Sequence, residues 1–360
     1  MLDLHVMLQY TVEHRGSDLH LKVGSSPHLR VDGHLSAMPF DPVTPADTEA
    51  IAFAILPPER AEEFARAHDA DFALSVSGVG RFRVNAFRQR GSVGLVLRRV
   101  LPGMPTFDSL GLPGIVPRLA EELHGLVLVT GPAGSGRTTT LASMIDHVNE
   151  TRAVNIVTIE DPIEVLHPDK MAIVNQRELG TDTRDYPDAL RRVLRQDPDV
   201  IAIGEIADAA TMWAALSAAS TGHLVVSTLQ TMRAAETIGR VVDFFPPAQH
   251  RQIRHTLASC FRGVVSQRLL ERADGRGRVP AVEVATNTAR VLDHILDPDA
   301  LPEKLEETMA EGEYHGMQTF DQSLLGLYKN GLVSLRDVLI AATDPQEFRI
   351  ALQTAGLTDA

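Results

Sequence analysis

Residues 131–140, GPAGSGRTTT, have the types and spacing of a turn built to grip phosphate: Gly131, Pro132, Ala133, Gly134, Ser135, Gly136, Arg137, Thr138 and Thr139. Small side chains let a backbone curl until its N–H groups face an anion, and a helix starting at the turn adds the positive end of its dipole. The pattern G-x-x-x-x-G-K-[ST] asks for lysine where this chain has Arg137, so the charge sits on a longer, planar, forked side chain. Thr138 supplies the hydroxyl that such a turn presents to magnesium. A strand, a glycine turn and a helix also occur in α/β proteins that bind nothing, so the neighbouring elements have to decide.

Those elements favour a site. The apolar run GLVLVT leads into the turn, and a helix with Leu141, Met144, Ile145 and Val148 on one face leads out of it. Three further apolar runs end in polar residues: NIVTIE at Glu160 and Asp161, DVIAIGE at Glu205, and HLVVSTLQT at Thr228, Gln230 and Thr231. Apolar strands separated by helices predict a parallel sheet covered on both faces, with ligands at the carboxyl ends of its strands. A lone carboxylate at a strand end is usually a cap or a solvated turn residue; four strand ends converging on one place argue for ATP and Mg2+. Phosphoryl transfer to water then assigns roles. Glu205 orients the attacking water, Glu160, Asp161 and Glu164 hold hydrated magnesium or polarise that water, and Arg137 neutralises the β and γ phosphates.

The rest of the chain divides in two. Residues 1–100 carry alternating segments (DLHLKV, HLRVDG, DFALSV, RFRVNAF, GLVLRRV) that predict strands with one wet face. Helices are expected between them, at TPADTEAIAFAIL, with start signals at Pro45 and Asp47, and at PPERAEEFARAH. This makes a small α+β domain over 1–100. A Pro- and Gly-rich connector follows over 101–114, and an α/β domain with a helical C-terminal part fills 115–360.

A chain of 360 residues with 44% hydrophobic content can build two cores. Its longest apolar runs fall far short of the roughly 20 residues needed to span a bilayer, so no transmembrane segment is expected. The N-terminus, MLDLHVMLQYTVEHRG, reads as an amphipathic helix and not a leader, which implies a cytoplasmic location. A net charge of −13 argues against direct nucleic-acid binding. The single Cys260 excludes an internal disulfide or a cysteine zinc site and is expected to be buried. Trp213, flanked by Met212 and Leu216, is expected in the core, and LPEKLEET (301–308) on a solvated helix face.

With these blocks in hand, the chain resembles the type IV pilus retraction ATPases (PilT-type) within the wider class of hexameric secretion ATPases. The likeness runs from GSDLHLKVG to YHGMQTFDQSL through RVDG, RFRVNAF, GLVLVTGPAGSG, TIEDPIE, VNQRELG, ALRRVLRQDPDVIAIGE, TGHLVVSTLQT and RVVDFFP. It implies a PAS-like N-terminal domain, a RecA-like P-loop ATPase core, and a homohexameric ring at the inner face of the cytoplasmic membrane that works on an inner-membrane pilus platform protein. It also implies that 158–164 is an acidic box near the metal, that Glu205 is catalytic, that Arg81 and Arg98 reach the phosphates, and that His223 belongs to the site. Departures cluster near the phosphates: Arg137 replaces lysine, Gln230 a histidine, and Ala207 an arginine, while RVLDHILD (290–297) barely matches the family's AIRNLIRE block. These departures raise an alternative, a nucleotide-binding ring component that hydrolyses weakly and regulates a motor. A nucleic-acid motor on the same core is disfavoured by the acidic balance and the lack of an aromatic-basic stretch.

Overall fold

The computed structural model describes residues 2–31, 33–100 and 104–357. The chain divides into two compact units, Met1–Pro102 with Glu164–Leu166, and Gly103–Ile163 with His167–Ala360.

The first unit is an antiparallel sheet of six strands: β1 (Asp18–Leu21), β2 (His28–Val31), β3 (His34–Ala37), β4 (Asp69–Val76), β5 (Gly80–Gln89) and β6 (Ser92–Val100), ordered β3-β2-β1-β6-β5-β4. Alternation places Leu19, Leu21, Phe82, Val84, Leu95 and Leu97 on its buried face, where Met7 and Leu8 of helix Leu4–Glu13 pack. Helix Pro45–Ile55 opens with a capping box in which Thr44 and Asp47 satisfy each other's backbone N–H groups, the chemistry announced by Pro45 and Asp47. Strand β3 carries no sequence signal, because all four of its residues are exposed and show no apolar period.

The second unit holds β7 (Gly125–Thr130), β8 (Asn155–Glu160), β9 (Ile173–Glu178), β10 (Val200–Ile203), β11 (Leu224–Leu229), β12 (Phe261–Glu271) and β13 (Arg278–Thr286), ordered β13-β12-β7-β11-β10-β8-β9. All neighbours run parallel except the β12–β13 hairpin. The β12–β13 hairpin interrupts the C-terminal part expected to be helical. Every residue of β7, β10 and β11 is buried, as a sheet covered on both faces requires. One face packs on helices Ala209–Ser220, Ala234–Asp243 and His250–Cys260, the other on Ile115–Ala120 and Arg137–Thr151. Together the units make a PAS-like module and a RecA-like core followed by helices Phe320–Lys329, Leu335–Ala341 and Pro345–Thr354.

Some details differ from expectation. Residues 101–103 of the expected connector lie outside the described residues; beyond them Phe107 and Leu112 are buried in the second core, so this stretch is packed and not merely extended. Trp213 is 43% exposed and meets Phe245 edge-on at 6.4 Å, because helix Ala209–Ser220 buries Met212 and Leu216 instead. Helix Pro302–Ala310 buries Leu305, Thr308 and Met309, so 301–308 is amphipathic and not wholly solvated. Cys260 is buried at 1% exposure, and burial pushes its thiol up to about 11. No helix among the described residues is long and apolar enough to cross a membrane.

The β12–β13 hairpin carries two ionisable side chains that bind neighbouring helices. Glu283 of β13 is fully buried and accepts the Ala234 N–H at 2.6 Å, capping helix Ala234–Asp243; burial pushes its carboxyl above the ordinary range. Arg268 of β12 lies 4.3 Å over the Phe320 ring and donates to the Ala341 carbonyl at 3.1 Å, tying the strand to the C-terminal helices.

His167 provides a pH handle. Burial holds its imidazole below its ordinary range despite Asp146 at 3.7 Å. The unfolded imidazole takes a proton near pH 6.5 (roughly), whereas the folded one resists, so acid favours the unfolded chain. The Tm of the protein is expected to fall more between pH 7.5 and 5.5 than that of His167→Gln in scanning calorimetry; parallel falls would remove His167 from the account.

Candidate functional site

The turn begins where β7 ends. Thr130, its last residue, shares a 2.8 Å hydroxyl contact with Ser266 of β12, and both are fully buried. Gly131, Gly134 and Gly136 have φ of +146°, +77° and +91°. A Cβ on Gly131 would stand 2.3 Å from the Gln267 carbonyl oxygen and 2.4 Å from Ser135 Oγ, so the close approach of two strand ends admits only glycine there. Helix Arg137–Thr151 starts at once. Its first N–H groups have no intrahelical acceptor, and Gly136 has no side chain to offer one, which is the arrangement that receives anions.

Gln267 of β12, 2% exposed, donates from Nε2 to the Ser135 carbonyl at 2.9 Å and holds the turn from behind. Ser135 Oγ, Arg137 Nη1 and Gln267 Oε1 are buried without hydrogen-bond partners among the described residues. Thr138 is exposed at the second position of the helix, and Thr139 is half-buried behind it.

The other strand ends are laced to one another. The Gly204 N–H donates to Ile159 O at 2.8 Å, the Ile206 N–H to Thr228 O at 3.0 Å, and Thr228 Oγ1 to Gly204 O at 2.7 Å. Thr228 is therefore a strut, and Thr231, paired with Thr237 at 2.6 Å, ties strand to helix. Glu160 Oε1 accepts from Thr158 Oγ1 at 2.6 Å and from Gln176 Nε2 at 3.0 Å. Glu205 Oε1 accepts from Gln230 Nε2 at 2.6 Å, so the residue standing in the histidine position holds the expected catalytic carboxylate.

Tyr186 sits among these acids, and nothing in its sequence surroundings pointed to it. Burial, then the negative charges of Asp161, Glu160 and Glu205, push its phenol above the ordinary range. Its hydroxyl lies 3.1 Å from where a Cβ on Gly204 would be, which keeps that position small. The phenol stays protonated, a neutral group beside three carboxylates, although a hydrogen bond from the Glu205 backbone pulls the other way.

Of the other expected residues, Glu164, Arg81 and Arg98 belong to the first unit and His223 to the second. Glu164 belongs to the segment that groups with the first unit, where it accepts from Arg83 Nη1 at 3.2 Å; its partner is an arginine and not the neighbouring acids. His223 precedes β11, and its carbonyl accepts the Gly125 N–H at the start of β7. That is the far end of the sheet from the turn, about 20 Å away at 3.3 Å per residue. Its Nδ1 is engaged by Ala218 O at 3.0 Å, a local helix-end contact. Arg81 and Arg98 lie on β5 and β6 of the first unit. Arg81 Nη1 donates to Ser75 Oγ at 2.9 Å, and Arg98 Nε donates to Asp18 Oδ1 at 2.7 Å. Burial raises the Asp18 carboxyl, but hydrogen bonds from Ser17 and Arg98 outweigh it and hold Asp18 below the ordinary range.

Comparisons with known proteins agree with this architecture. The family model described as "Type II/IV secretion system protein" matches residues 4–315. The type IV pilus "retractation" ATPase PilT of Pseudomonas aeruginosa is 40% identical over 96% of this chain and 100% of its own. The type IV pilus ATPase PilU of the same organism is 37% identical over 100% and 94%. A crystal structure of the pilus retraction motor PilT with bound ADP superposes with a TM-score of 0.86 at 43% identity, covering 96% and 99% of the two chains. The Legionella pneumophila ATPase DotB follows with a TM-score of 0.81 at 26% identity, covering 98% and 95%. With a parallel sheet, a glycine turn feeding a helix and acids at adjoining strand ends, the chain belongs to the type II/IV secretion system protein family, in its branch of PilT-type pilus ATPases.

Proposed function

We propose that this protein is an ATP-hydrolysing motor, a homohexameric ring that drives type IV pilus retraction through an inner-membrane platform protein at the inner face of the cytoplasmic membrane. The observation that carries the hydrolytic reading is the Gln230–Glu205 hydrogen bond at a strand end laced to that of β8. A carboxylate fixed by a side-chain donor at the carboxyl edge of a parallel sheet is suited to orient or deprotonate water. The retraction role rests on similarity to the relative named for it, and PilU is similar too.

The residues of the turn fit the nucleotide. Gly131 to Gly136 make a cradle that a Cβ would fill at Gly131, and the orphaned buried Ser135 Oγ and Arg137 Nη1 are the groups a phosphate would satisfy. The N–H groups of 134–139 grip the phosphates, Thr138 would hold magnesium through its hydroxyl, and Glu160 and Asp161 would hold that ion through its waters. Bound magnesium would supply charge neutralisation at the phosphates. Arg137 neutralises them from the protein side with a delocalised guanidinium, able to give two parallel hydrogen bonds where lysine gives a point charge. Glu205 takes the proton of the attacking water while Gln230 keeps the carboxylate oriented. Arg81 and Arg98 complete the proposal as arginines that approach the phosphates, and Glu164 as a further acid beside the box.

A second reading, a weakly hydrolysing ring component that regulates a motor, is favoured by Arg137 in the lysine position. Steady-state ATP hydrolysis by the purified protein separates the two. The motor reading expects Glu205→Gln to lower kcat by about a hundredfold or more, the range of a general base, with nucleotide binding kept. Equal inactivity of the unsubstituted protein and Glu205→Gln, with ADP still bound, would transfer the case to the regulatory reading, as would a large gain in kcat from Arg137→Lys.

The cradle has its own check. Gly131→Ala is expected to abolish ADP binding and lower Tm, because the added carbon meets backbone at 2.3 Å. Gly134→Ala meets nothing within 4 Å and carries only the strain of φ +77°, about 1 kcal/mol, so it should fold and bind more weakly. Calorimetric titration with ADP reads both, and indifference of binding to Gly131→Ala would place the phosphates elsewhere.

A further inference from the structure

Gln267 lies outside every motif of the chain, on a strand that follows the glycine turn by more than a hundred residues, yet it touches the turn in three places. Its Nε2 donates to the Ser135 carbonyl at 2.9 Å. Its carbonyl oxygen fills the space a side chain at Gly131 would need, and its Nε2 stands 3.1 Å from the Cβ position of Gly136. The parallel register accounts for this: Ser266 pairs with Thr130, so the next residue of β12 arrives level with Gly131. At 2% exposure the side chain has no alternative solvent partner.

The polar accounting is incomplete on both sides of this contact. Among the described residues Gln267 Oε1 is a buried acceptor with no donor, and Arg137 Nη1 and the Ser135 hydroxyl are buried donors with no acceptor, so Oε1 and Nη1 do not bond each other in this structure. A buried polar group left unsatisfied costs about 1–3 kcal/mol, so each needs a partner in the working protein. A guanidinium has five donors in a planar fork and can serve an amide oxygen with one arm and a phosphate with another. A lysine ammonium is a compact, strongly hydrated point charge without that planar fork.

We propose that Gln267 is the positioning residue of the phosphate turn. Through Nε2 it fixes the Ser135 carbonyl away from the anion, which leaves the following N–H groups facing it, and through Oε1 it orients the Arg137 guanidinium against the phosphates. Gln267 is thus the partner that makes arginine workable in the lysine position. The inference rests on the nucleotide-binding reading given above.

The test is a double-mutant cycle on the intact protein, with ADP as the probe in calorimetric titration. Gln267→Met keeps the volume and removes both arms; Gln267→Glu keeps an acceptor for Arg137 and loses the donor to Ser135. Gln267→Met is expected to weaken ADP about tenfold, the effect of one lost buried hydrogen bond. Gln267→Glu is expected to fall between it and the unsubstituted protein. In the Arg137→Lys background the loss from Gln267→Met should shrink to the part owed to the Ser135 tether. A general packing role would give the same loss in both backgrounds and would overturn the pairing. Unchanged ADP affinity in folded Gln267→Met, judged by Tm, would overturn the positioning role altogether. Absence of ADP binding by the unsubstituted protein would instead sink the nucleotide reading and this inference with it, a result distinct from the other two.

Discussion

Parallel pairing is the constraint on which the rest of this molecule depends. Because β7, β11, β10 and β8 run the same way in continuous register, their carboxyl ends lie side by side. Their interiors are mostly apolar and buried, with only hydroxyl side chains such as Thr158 and Ser227 among them, so charged groups appear where the strands stop. Side chains worth about 1.5–3 kcal/mol each when buried hold this arrangement, and no single polar contact at the strand ends competes with that sum. The site is a by-product of the sheet's direction: the glycine turn, Glu160, Glu205 and Gln230 are neighbours because their strands end together.

Within that edge the acids are not equivalent. Glu205 is held by one amide donor, Glu160 by a hydroxyl and an amide, and the neutral Tyr186 stands among them with Asp161. Like charges this close raise one another's cost, and the amides and the hydroxyl that donate to Glu205 and Glu160 offset part of it. Under the proposed function, a hydrated divalent ion brought by the nucleotide would relieve the same crowding of negative charge.

Much of the fold could be read directly. Apolar runs bounded by turn signals identified β7, β8, β10 and β11, the alternating segments identified five strands of the first unit, and Pro45 with Asp47 announced a capped helix. What escaped detection did so for physical reasons. Strand β3 has no buried residue, and β9, at the edge of its sheet, buries only Glu178 fully, so neither shows a period. Tyr186 and Gln267 reach the strand ends through register and packing, long-range relations that leave no local pattern. His223 shows the converse: the resemblance assigned it to the site, and within the chain it stands where its strand begins.

Strand β12 carries two attachments whose directions differ. Gln267 meets the glycine turn, while its neighbour Arg268, pointing to the opposite face by the two-residue period of a strand, stacks on Phe320 and binds Ala341 in the C-terminal helices. A strand is stiff along its axis, and these adjacent residues share one peptide plane. Any axial shift of β12 therefore moves the back wall of the phosphate turn and the mooring of the C-terminal helices by the same amount, as two pins on a single rod.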